Sequence, residues 1–345
     1  MTKTNQLGTT NPIIQAPMAG GITTTELVTA VSNAGSLGMI GAGYMRAEDV
    51  KNQIKEVKKQ SEAPFGVNFF VPQPFQTDEK AVKKMKKQLQ PYYDKFQINS
   101  DEVAVPTAEA VYEKYEAQIE AAIQEKVAVC SFTFGVPEQS KVEDLQANGI
   151  ITIGTATTLE EAKTIEARGM DAVVLQGSEA GGHRGSFIEA PSPSIGLMSL
   201  LTQTADAISI PVIASGGIMD QRGIEAVLAL GASFVQLGTA FLLTEESGAH
   251  PLHKKKILET PGEYTVVTNV FSGKKARGIH NKFIDEMELA DVSLPYPVLN
   301  SLTQPIRKEA KQVNDIEMMS LWAGQGTLLG KEQSAAAFIH QLISR

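Results

Sequence analysis

Short apolar runs alternate with amphipathic segments along the first 240 residues of the chain. The runs are continuously apolar, which is typical of parallel strands that are buried on both faces of a sheet. Eight strands are predicted in this way, over residues 12–17, 37–42, 65–70, 127–134, 150–156, 172–176, 211–217 and 233–239. Amphipathic segments predict helices between them, over residues 25–33, 46–60, 137–147, 159–168, 195–207 and 221–230.

The repeated strand–helix order predicts an α/β fold of the parallel (β/α)8 TIM-barrel class. An open doubly wound sheet is the main alternative, because it is built from the same units. The barrel is favoured because the strand count reaches eight. Three of the strands also end in turns of glycine and other small residues, as the ligand-binding face of a barrel requires.

Two segments interrupt the alternation and predict additions to the barrel. Residues 77–125 are charged, rich in lysine and helical in pattern, so a helical insertion that includes a helix over 108–125 is expected after the third strand. Beyond about residue 241 the sequence predicts short non-parallel strands over 263–269 and 274–279 and helices over 303–313 and 333–343. The expected division is a barrel over 1–240, a small subdomain over 241–312 and a helical return over 313–345 that packs on the barrel.

Composition and charge narrow the functional classes. The 345-residue chain has a formal net charge of −8, which disfavours binding to nucleic acids or to anionic membranes, because both need a basic surface. The single cysteine, Cys130, excludes an intrachain disulfide and lies in an apolar strand, where a buried and inert thiol is expected. The first residues lack a hydrophobic signal core and no run has the length of a membrane-spanning helix, so a cytoplasmic location is expected.

A glycine-rich loop around His183 is the first candidate for chemistry. It runs from Gln176 to Phe187, directly after the sixth predicted strand, and contains four glycines. Glycine lets the backbone approach a ligand closely, and a histidine held at a strand end can transfer protons near neutral pH. A flexible turn with a surface histidine explains the loop equally well when it is taken alone. Arg184 could contact an anionic substrate or bond the carbonyl groups of its own loop.

Two further loops predict a phosphate site on the same face of the barrel. They are Ser215-Gly-Gly-Ile218 after the seventh strand and Gln236-Leu-Gly-Thr-Ala240 after the eighth. Loops at these positions commonly bind a phosphate in barrels, because glycine exposes backbone N–H groups. One Gly-Gly pair would be an ordinary tight turn, but both loops in this order favour a phosphorylated cofactor or substrate. The sequence has no P-loop motif, no complete dinucleotide fingerprint and no metal-ligand spacing, so no metal is expected.

Six motifs together resemble those of the nitronate monooxygenases, formerly called 2-nitropropane dioxygenases. The motifs are Gln15-Ala-Pro-Met-Ala-Gly-Gly21, Asn68-Phe-Phe-Val-Pro72, Gly177-Ser-Glu-Ala-Gly-Gly-His-Arg-Gly185, Ala214-Ser-Gly-Gly-Ile218, Gln236-Leu-Gly-Thr-Ala-Phe241 and Trp322-Ala-Gly-Gln325. The resemblance extends over about residues 10–330. It implies an FMN-containing TIM barrel with a small substrate domain, which oxidises alkyl nitronates with O2 to a carbonyl compound and nitrite without reduced nicotinamide.

The resemblance also implies roles for individual residues. The residues expected to contact FMN are Met18, Ala19, Asn68, Gln176, Gly181, Gly217, Gln236, Leu237, Gly238 and Thr239. Met18 and Ala19 are expected against the isoalloxazine ring, and Gly217, Gly238 and Thr239 around the phosphate. His183 is expected to face the reactive side of the flavin, where it takes the α-proton of a neutral nitroalkane or positions the anion of a nitronate. Two departures from the family are Ser215, where relatives often have Ala, and the long 77–125 segment, which leaves substrate size open.

Three functions are compatible with these features. The first is FMN-dependent nitronate oxidation, for which the family implies propionate 3-nitronate as substrate and detoxification as the role. The second is an FMN-dependent NAD(P)H reductase of the enoyl-acyl-carrier-protein reductase or quinone reductase type, which shares the Gly-Gly-His loop. The third is a flavin-binding protein without turnover, against which the proton-transferring His183 argues. The expected partners are the nitronate and O2, without nucleic acid or membrane; a homodimer stays open, because nothing in the sequence sets the oligomeric state.

Overall fold

The structure, a computed structural model, describes residues 6–188 and 194–344. The predicted absence of a signal core concerns the first residues, of which 1–5 lie outside these ranges. The described residues contain eleven strands: β1 Ile13–Gln15, β2 Gly38–Gly41, β3 Phe65–Phe70, β4 Val129–Thr133, β5 Ile151–Ala156, β6 Ala172–Gln176, β7 Gly182–His183, β8 Val212–Ser215, β9 Phe234–Leu237, β10 Thr265–Thr268 and β11 Ala276–Ile279.

Eight of these strands form a closed parallel barrel in the order β1-β9-β8-β6-β5-β4-β3-β2. Backbone hydrogen bonds between Leu37 and both Gln15 and Ile13, each 2.9 Å, join β1 to the chain just before β2 and close the ring. The predicted TIM barrel is therefore confirmed, and the open doubly wound sheet is excluded. The eight strands coincide with the eight predicted apolar runs, and β3 and β6 have the predicted limits.

The helices that surround the barrel follow the strands as the amphipathic pattern predicts. In chain order the helices are α1 Thr25–Asn33, α2 Ala47–Gln60, α3 Glu79–Lys95, α4 Ala108–Gln124, α5 Gln139–Ala147, α6 Leu159–Ala167, α7 Leu197–Ala205, α8 Gln221–Ala229, α9 Thr239–Leu242, α10 Pro251–Glu259, α11 Lys282–Glu288, α12 Val298–Gln312 and α13 Ala335–Ile343. Several begin at hydroxyl or carboxylate caps that accept a hydrogen bond from the first turn, such as Thr24 before α1 and Asp220 before α8.

The segment 77–125 contains two helices with different neighbours. Helix α4 packs on α2, and the side chain of Gln118 donates to Ala42 O at 2.9 Å, so α4 belongs to the helical layer of the barrel. Helix α3 instead packs on the C-terminal part of the chain. Its Tyr93 hydroxyl donates to Leu302 O at 2.9 Å, and its Tyr92 ring lies 5.1 Å from the ring of Phe283.

The chain after the barrel builds a second, smaller core. Strands β10, β11 and β7 form an antiparallel sheet, so the short strand that carries His183 belongs to this sheet. Helix α12 begins at Val298, five residues before the predicted start, and contains Pro305. Its continuous apolar face is buried, and this packing outweighs the helix-breaking tendency of proline. Helix α13 returns to the barrel, where Phe338 contacts Phe241 with ring centroids 5.1 Å apart.

The barrel interior is closed at one end and open at the other. Side chains such as Met39, Ile153, Val174 and Phe234 fill the end at which the strands begin. Polar side chains and glycines replace them at the carboxyl ends of the strands, where barrel enzymes carry their sites. Cys130 in β4 is fully buried as predicted, and burial raises the pKa of its thiol, so it stays protonated.

Candidate active site

A cavity of about 920 Å³ opens at the carboxyl ends of the barrel strands. It is lined by predicted site residues from five separate parts of the sequence: Met18, Ala19, Asn68, Gln176, Gly181, His183, Gly217, Gln236, Gly238 and Thr239. Leu237 is the exception, because its side chain is buried in the core between the barrel and its helices. The fold therefore brings together the residues singled out in the sequence, apart from one side chain.

The two glycine loops present backbone donors to this cavity. Gly216 and Gly217 adopt φ values of +127° and +70°, which other residues rarely adopt. Within residues 6–188 and 194–344, the amide groups of Gly217, Ile218 and Thr239 donate no hydrogen bond to the protein. The Thr239 hydroxyl accepts from Gly324 N at 2.9 Å, which fixes this loop against the C-terminal segment. Free amide donors at adjacent strand ends suit a phosphate group.

Two side-chain amides at the carboxyl ends of the strands differ in whether they keep a hydrogen-bonding atom free for a ligand. Asn68 donates to the hydroxyls of Ser131 and Thr133 at 2.9 and 3.1 Å, and its carbonyl oxygen stays available to a ligand N–H. Gln176 donates to His183 O and accepts from Gly185 N, both at 2.9 Å. Its amide is therefore already engaged in holding the His183 loop, although the side chain lines the cavity.

His183 stands in an aromatic enclosure at the centre of the cavity. Its ring centroid lies 5.7 Å from that of Phe134, 6.3 Å from that of Tyr296 and 5.4 Å from that of Trp322. Burial, with smaller effects from the charges of Arg307 and Lys274, lowers the pKa of His183 to about 3. The imidazole is therefore neutral near pH 7 and keeps a lone pair for proton transfer.

A hydroxyl outside the predicted motifs orients this imidazole. Ser272 Oγ lies 2.8 Å from His183 Nε2 and donates its own proton to Lys274 O at 3.1 Å. With that proton used, Nε2 of His183 is the donor to Ser272, and Nδ1 carries the lone pair. The hydrogen bond therefore assigns the two ring nitrogens of His183 different roles.

Buried charges hold the His183 loop in shape. The Arg184 guanidinium donates to Gly177 O at 2.6 Å and to Gln176 O at 2.9 Å, so of its two sequence interpretations the loop-bonding one is observed. Burial lowers the pKa of Arg184 to about 10, which leaves it charged near pH 7. The fully buried Glu161 accepts from the amides of Phe187 and Ile188 at 2.7 and 3.0 Å. Hydrogen bonds from two buried polar side chains thus hold the loop, which is more than an ordinary surface turn would have.

The motif at Trp322 contacts the His183 loop directly. A Cβ at Gly181 would lie 2.5 Å from the backbone of Ala323, so only glycine permits this approach. Gln325 N also donates to Glu179 O at 3.0 Å. These contacts explain why two motifs almost 150 residues apart in the sequence belong to one site.

Four side chains near His183 were absent from the sequence prediction: Tyr44, Ser272, Tyr296 and Arg307. None lies in a glycine motif, and three belong to the C-terminal segment. No sequence signal singles out Arg307, because Lys308 and Lys311 lie beside it on the same helix.

His253 provides a prediction on stability. It is buried, donates to Trp322 O at 3.1 Å, and burial lowers its pKa to about 4. Because the unfolded chain binds a proton near pH 6.5 and the folded chain does not, the free energy of unfolding should fall as the pH is lowered. The expected loss is about 2 kcal/mol at pH 5 relative to pH 7.

Urea denaturation of wild type and His253→Gln at both pH values measures this contribution. The variant keeps a side-chain N–H donor but cannot titrate, so it should lose this part of the pH dependence. The exposed His340→Gln serves as the control and should behave as wild type. An unchanged pH dependence in His253→Gln would show that His253 does not titrate as described.

In the described ranges, no cluster of three or more His, Cys, Asp or Glu side chains could hold a metal ion. The same residues include no helix long and apolar enough to cross a membrane.

Comparison with known proteins shows clear similarity over the whole chain. The family model described as "Nitronate monooxygenase" matches residues 2–345. A probable nitronate monooxygenase of Bacillus subtilis (strain 168) is 47% identical over 337 residues, which cover 96% of this chain and 95% of that protein. The nitroalkane oxidase structure from Streptomyces ansochromogenes has 39% identity and a TM-score of 0.89, covering 97% of this chain and 95% of its own. FabK from Thermotoga maritima has 30% identity and a TM-score of 0.77, with 99% and 94% coverage.

Proposed function

The chain belongs to the nitronate monooxygenase family of flavin-dependent oxidoreductases, and we propose that it oxidises alkyl nitronates with FMN and O2 to a carbonyl compound and nitrite. The general activity, nitronate oxidation, is supported by the family and by the likeness to a nitroalkane oxidase. The observation that carries the finer proposal is a single cavity that joins His183 to both glycine loops.

The residues of the cavity fit FMN. The free amides of Gly217 and Thr239, together with Gly238, supply donors for its phosphate. The free carbonyl oxygen of Asn68 can accept a hydrogen bond from the flavin ring, and Met18 with Ala19 supplies an edge against which the ring can pack. The cavity volume of about 920 Å³ leaves room for a small substrate beside the cofactor.

The chemistry divides between cofactor and protein. When bound, FMN supplies the electron acceptor for substrate oxidation and the reaction with O2. The lone pair of the neutral His183 can accept the α-proton of a neutral nitroalkane. For a nitronate, which is already deprotonated, the same side chain positions the anion. Phe134 and Trp322 beside the imidazole exclude water from the reacting centre.

Comparison of FMN with riboflavin tests the cofactor assignment. The two differ only in the phosphate, so FMN should bind the apoprotein at least about 100-fold more tightly, because charge-assisted hydrogen bonds to the loops contribute about 1.5–3 kcal/mol each. Fluorescence quenching of each flavin during titration gives the two dissociation constants. Equal affinities would contradict the claim that the glycine loops bind the phosphate. Failure of both flavins to bind would refute the flavin site itself.

We extend the proposal to propionate 3-nitronate as the physiological substrate and to detoxification as the role. The support is the family resemblance and the positive charges of Arg307, which lines the cavity, and of Lys274, both of which act on His183. Cells that lack the protein should be more sensitive to this nitronate than the parent strain. Equal tolerance in the two strains would refute the detoxification role.

A reductase is the second candidate. The Gly-Gly-His loop and the structural likeness to FabK from Thermotoga maritima favour an FMN-dependent enzyme that takes hydride from NAD(P)H. Its acceptor would be an enoyl thioester or a quinone. The higher identity to nitronate monooxygenases, at 47% against 30%, places this candidate second.

A further inference from the structure

Arg307 on α12 is a half-buried cation that lines the active-site cavity. Its Nη2 donates to the carbonyl and the side-chain oxygen of Asn300, at 3.1 and 2.8 Å. Its Nε is buried and has no hydrogen-bond partner within the part of the chain that the structure describes. Among the residues that the structure describes, no carboxylate forms an ion pair with it, and this includes Glu102 and Glu309, which line the same cavity.

A second donor without a partner lines the same cavity. Among residues 6–188 and 194–344, the buried Tyr44 hydroxyl has no hydrogen-bond partner, and burial raises the pKa of Tyr44, so the group is a neutral O–H donor. The positive charge of Arg307 acts on this hydroxyl and opposes that rise in pKa. Both residues line the same cavity and each keeps one donor without a partner, although they belong to distant parts of the chain.

Aromatic contacts connect these donors to the reacting centre. The Tyr44 ring packs edge-on against Phe70 at 5.6 Å, Phe70 lies 4.6 Å from Phe134, and Phe134 lies 5.7 Å from His183. The charge of Arg307 also contributes to the low pKa of His183. Lys274, the other cation beside His183, is already engaged, because its ammonium donates to Ser186 O at 2.9 Å and lies over the Phe134 ring.

Burying a guanidinium without a counter-ion is costly, and burying a hydroxyl without a partner adds to that cost. Both costs are offset when a ligand supplies the missing acceptors. The planar guanidinium fork matches planar groups with two oxygen atoms, and both the nitronate group and a carboxylate have this shape. We propose that Arg307 and Tyr44 form a substrate oxyanion subsite that makes the enzyme selective for anionic over neutral substrates. The identity of the substrate rests on the proposed function, whereas the subsite itself does not.

Nitrate is the probe for this subsite, because it is a planar oxyanion that cannot be oxidised. Titration calorimetry of the protein as purified with its cofactor should give a dissociation constant for nitrate that rises at least about tenfold in Arg307→Gln. Arg307→Lys keeps the charge without the fork and should fall between Arg307→Gln and wild type. Tyr44→Phe should weaken nitrate binding while folding normally, because its hydroxyl has no partner to lose.

Arg168→Gln is the matched control. It removes the same charge from the C-terminal end of α6, at a residue that does not line the cavity, and should bind nitrate as wild type does. The proposal is overturned if nitrate does not bind wild type, or if it binds Arg307→Gln as tightly as wild type. Tyr44→Phe provides an independent result should Arg307→Gln not fold.

Steady-state kinetics with two nitronates identify the group that occupies the subsite. A rise in KM of Arg307→Gln for propionate 3-nitronate alone assigns the subsite to the carboxylate, whereas equal rises for propionate 3-nitronate and propyl-1-nitronate assign it to the nitronate group. KM values unchanged for both substrates would contradict the proposal. A protein that binds nitrate through Arg307 but oxidises no nitronate would retain the subsite and refute the proposed function.

Discussion

Replacing His183 with Ala is expected to lower kcat/KM for a neutral nitroalkane by about 10²- to 10⁴-fold, the usual range for loss of a positioned base. The imidazole is neutral, oriented by Ser272 and enclosed by aromatic rings, so no other described side chain in this enclosure is placed to take the α-proton. The effect on a nitronate should be smaller, because that substrate arrives without the proton. The ratio of the two losses therefore reports the role of His183 as a base.

Nitrite release from 1-nitropropane and from its anion measures both losses, and the visible spectrum checks that flavin stays bound. His340→Ala, at an exposed position of α13, controls for removal of a histidine as such and should match wild type. If His183→Ala alters turnover of neither substrate, His183 has no part in the reaction.

The second large effect is expected from Gly217→Ala, which should weaken FMN binding by about 10- to 100-fold. Gly217 adopts φ +70°, and a left-handed conformation costs other residues about 1–2 kcal/mol. The added Cβ would also lie 3.2 Å from Glu179 Cβ, a tight contact that must displace one of the two segments. Relief of either strain would move the free amide of Gly217 away from the phosphate.

Gly169→Ala separates this local effect from backbone strain in general. Gly169 adopts φ +78° between α6 and β6, at the opposite end of the barrel, and a Cβ there would meet no atom within 4 Å. Both variants should lose stability in urea denaturation, but only Gly217→Ala should lose affinity for FMN. Equal FMN affinities in the two variants would show that the Gly217 loop does not bind the phosphate.

The barrel could be predicted because its signal is local. A strand buried on both faces is mostly apolar, so runs such as Phe65–Phe70 and Ala172–Gln176 indicate strands without reference to the rest of the chain. The glycine loops were equally visible, since left-handed φ values select glycine at the strand ends. The roles assigned to these residues in FMN binding remain predictions.

The substrate side of the site could not be predicted, because its contacts join remote residues. Tyr44 follows β2, Ser272 lies in the turn before β11 and Arg307 lies on α12, and no short motif connects them. The strand β7 was missed for a related reason, since two residues carry no periodicity and are fixed only by pairing with β11. These side chains are recognisable only once packing shows that Ser272 contacts His183 and that Tyr44 and Arg307 each keep a donor without a partner.

Leu237 was included among the expected FMN contacts because it lies within a motif, but its side chain does not line the cavity. Successive side chains of a strand point to opposite faces, so Gln236 lines the cavity and Leu237 enters the core behind it. Applying that alternation to the motif would have predicted a contact through the backbone of Leu237 but none through its side chain. Gln176 was placed correctly in the cavity, but its hydrogen bonds orient the His183 loop.

Anaerobic reduction of the purified flavoprotein tests the central claim most directly. One sample receives propionate 3-nitronate and another receives NADH or NADPH, while the visible absorbance of the flavin is followed. Nitronate oxidation predicts that the nitronate reduces the flavin and that the nicotinamides do not. Rapid bleaching by NADH or NADPH, with no change on adding the nitronate, would contradict this account and identify the enzyme as a reductase.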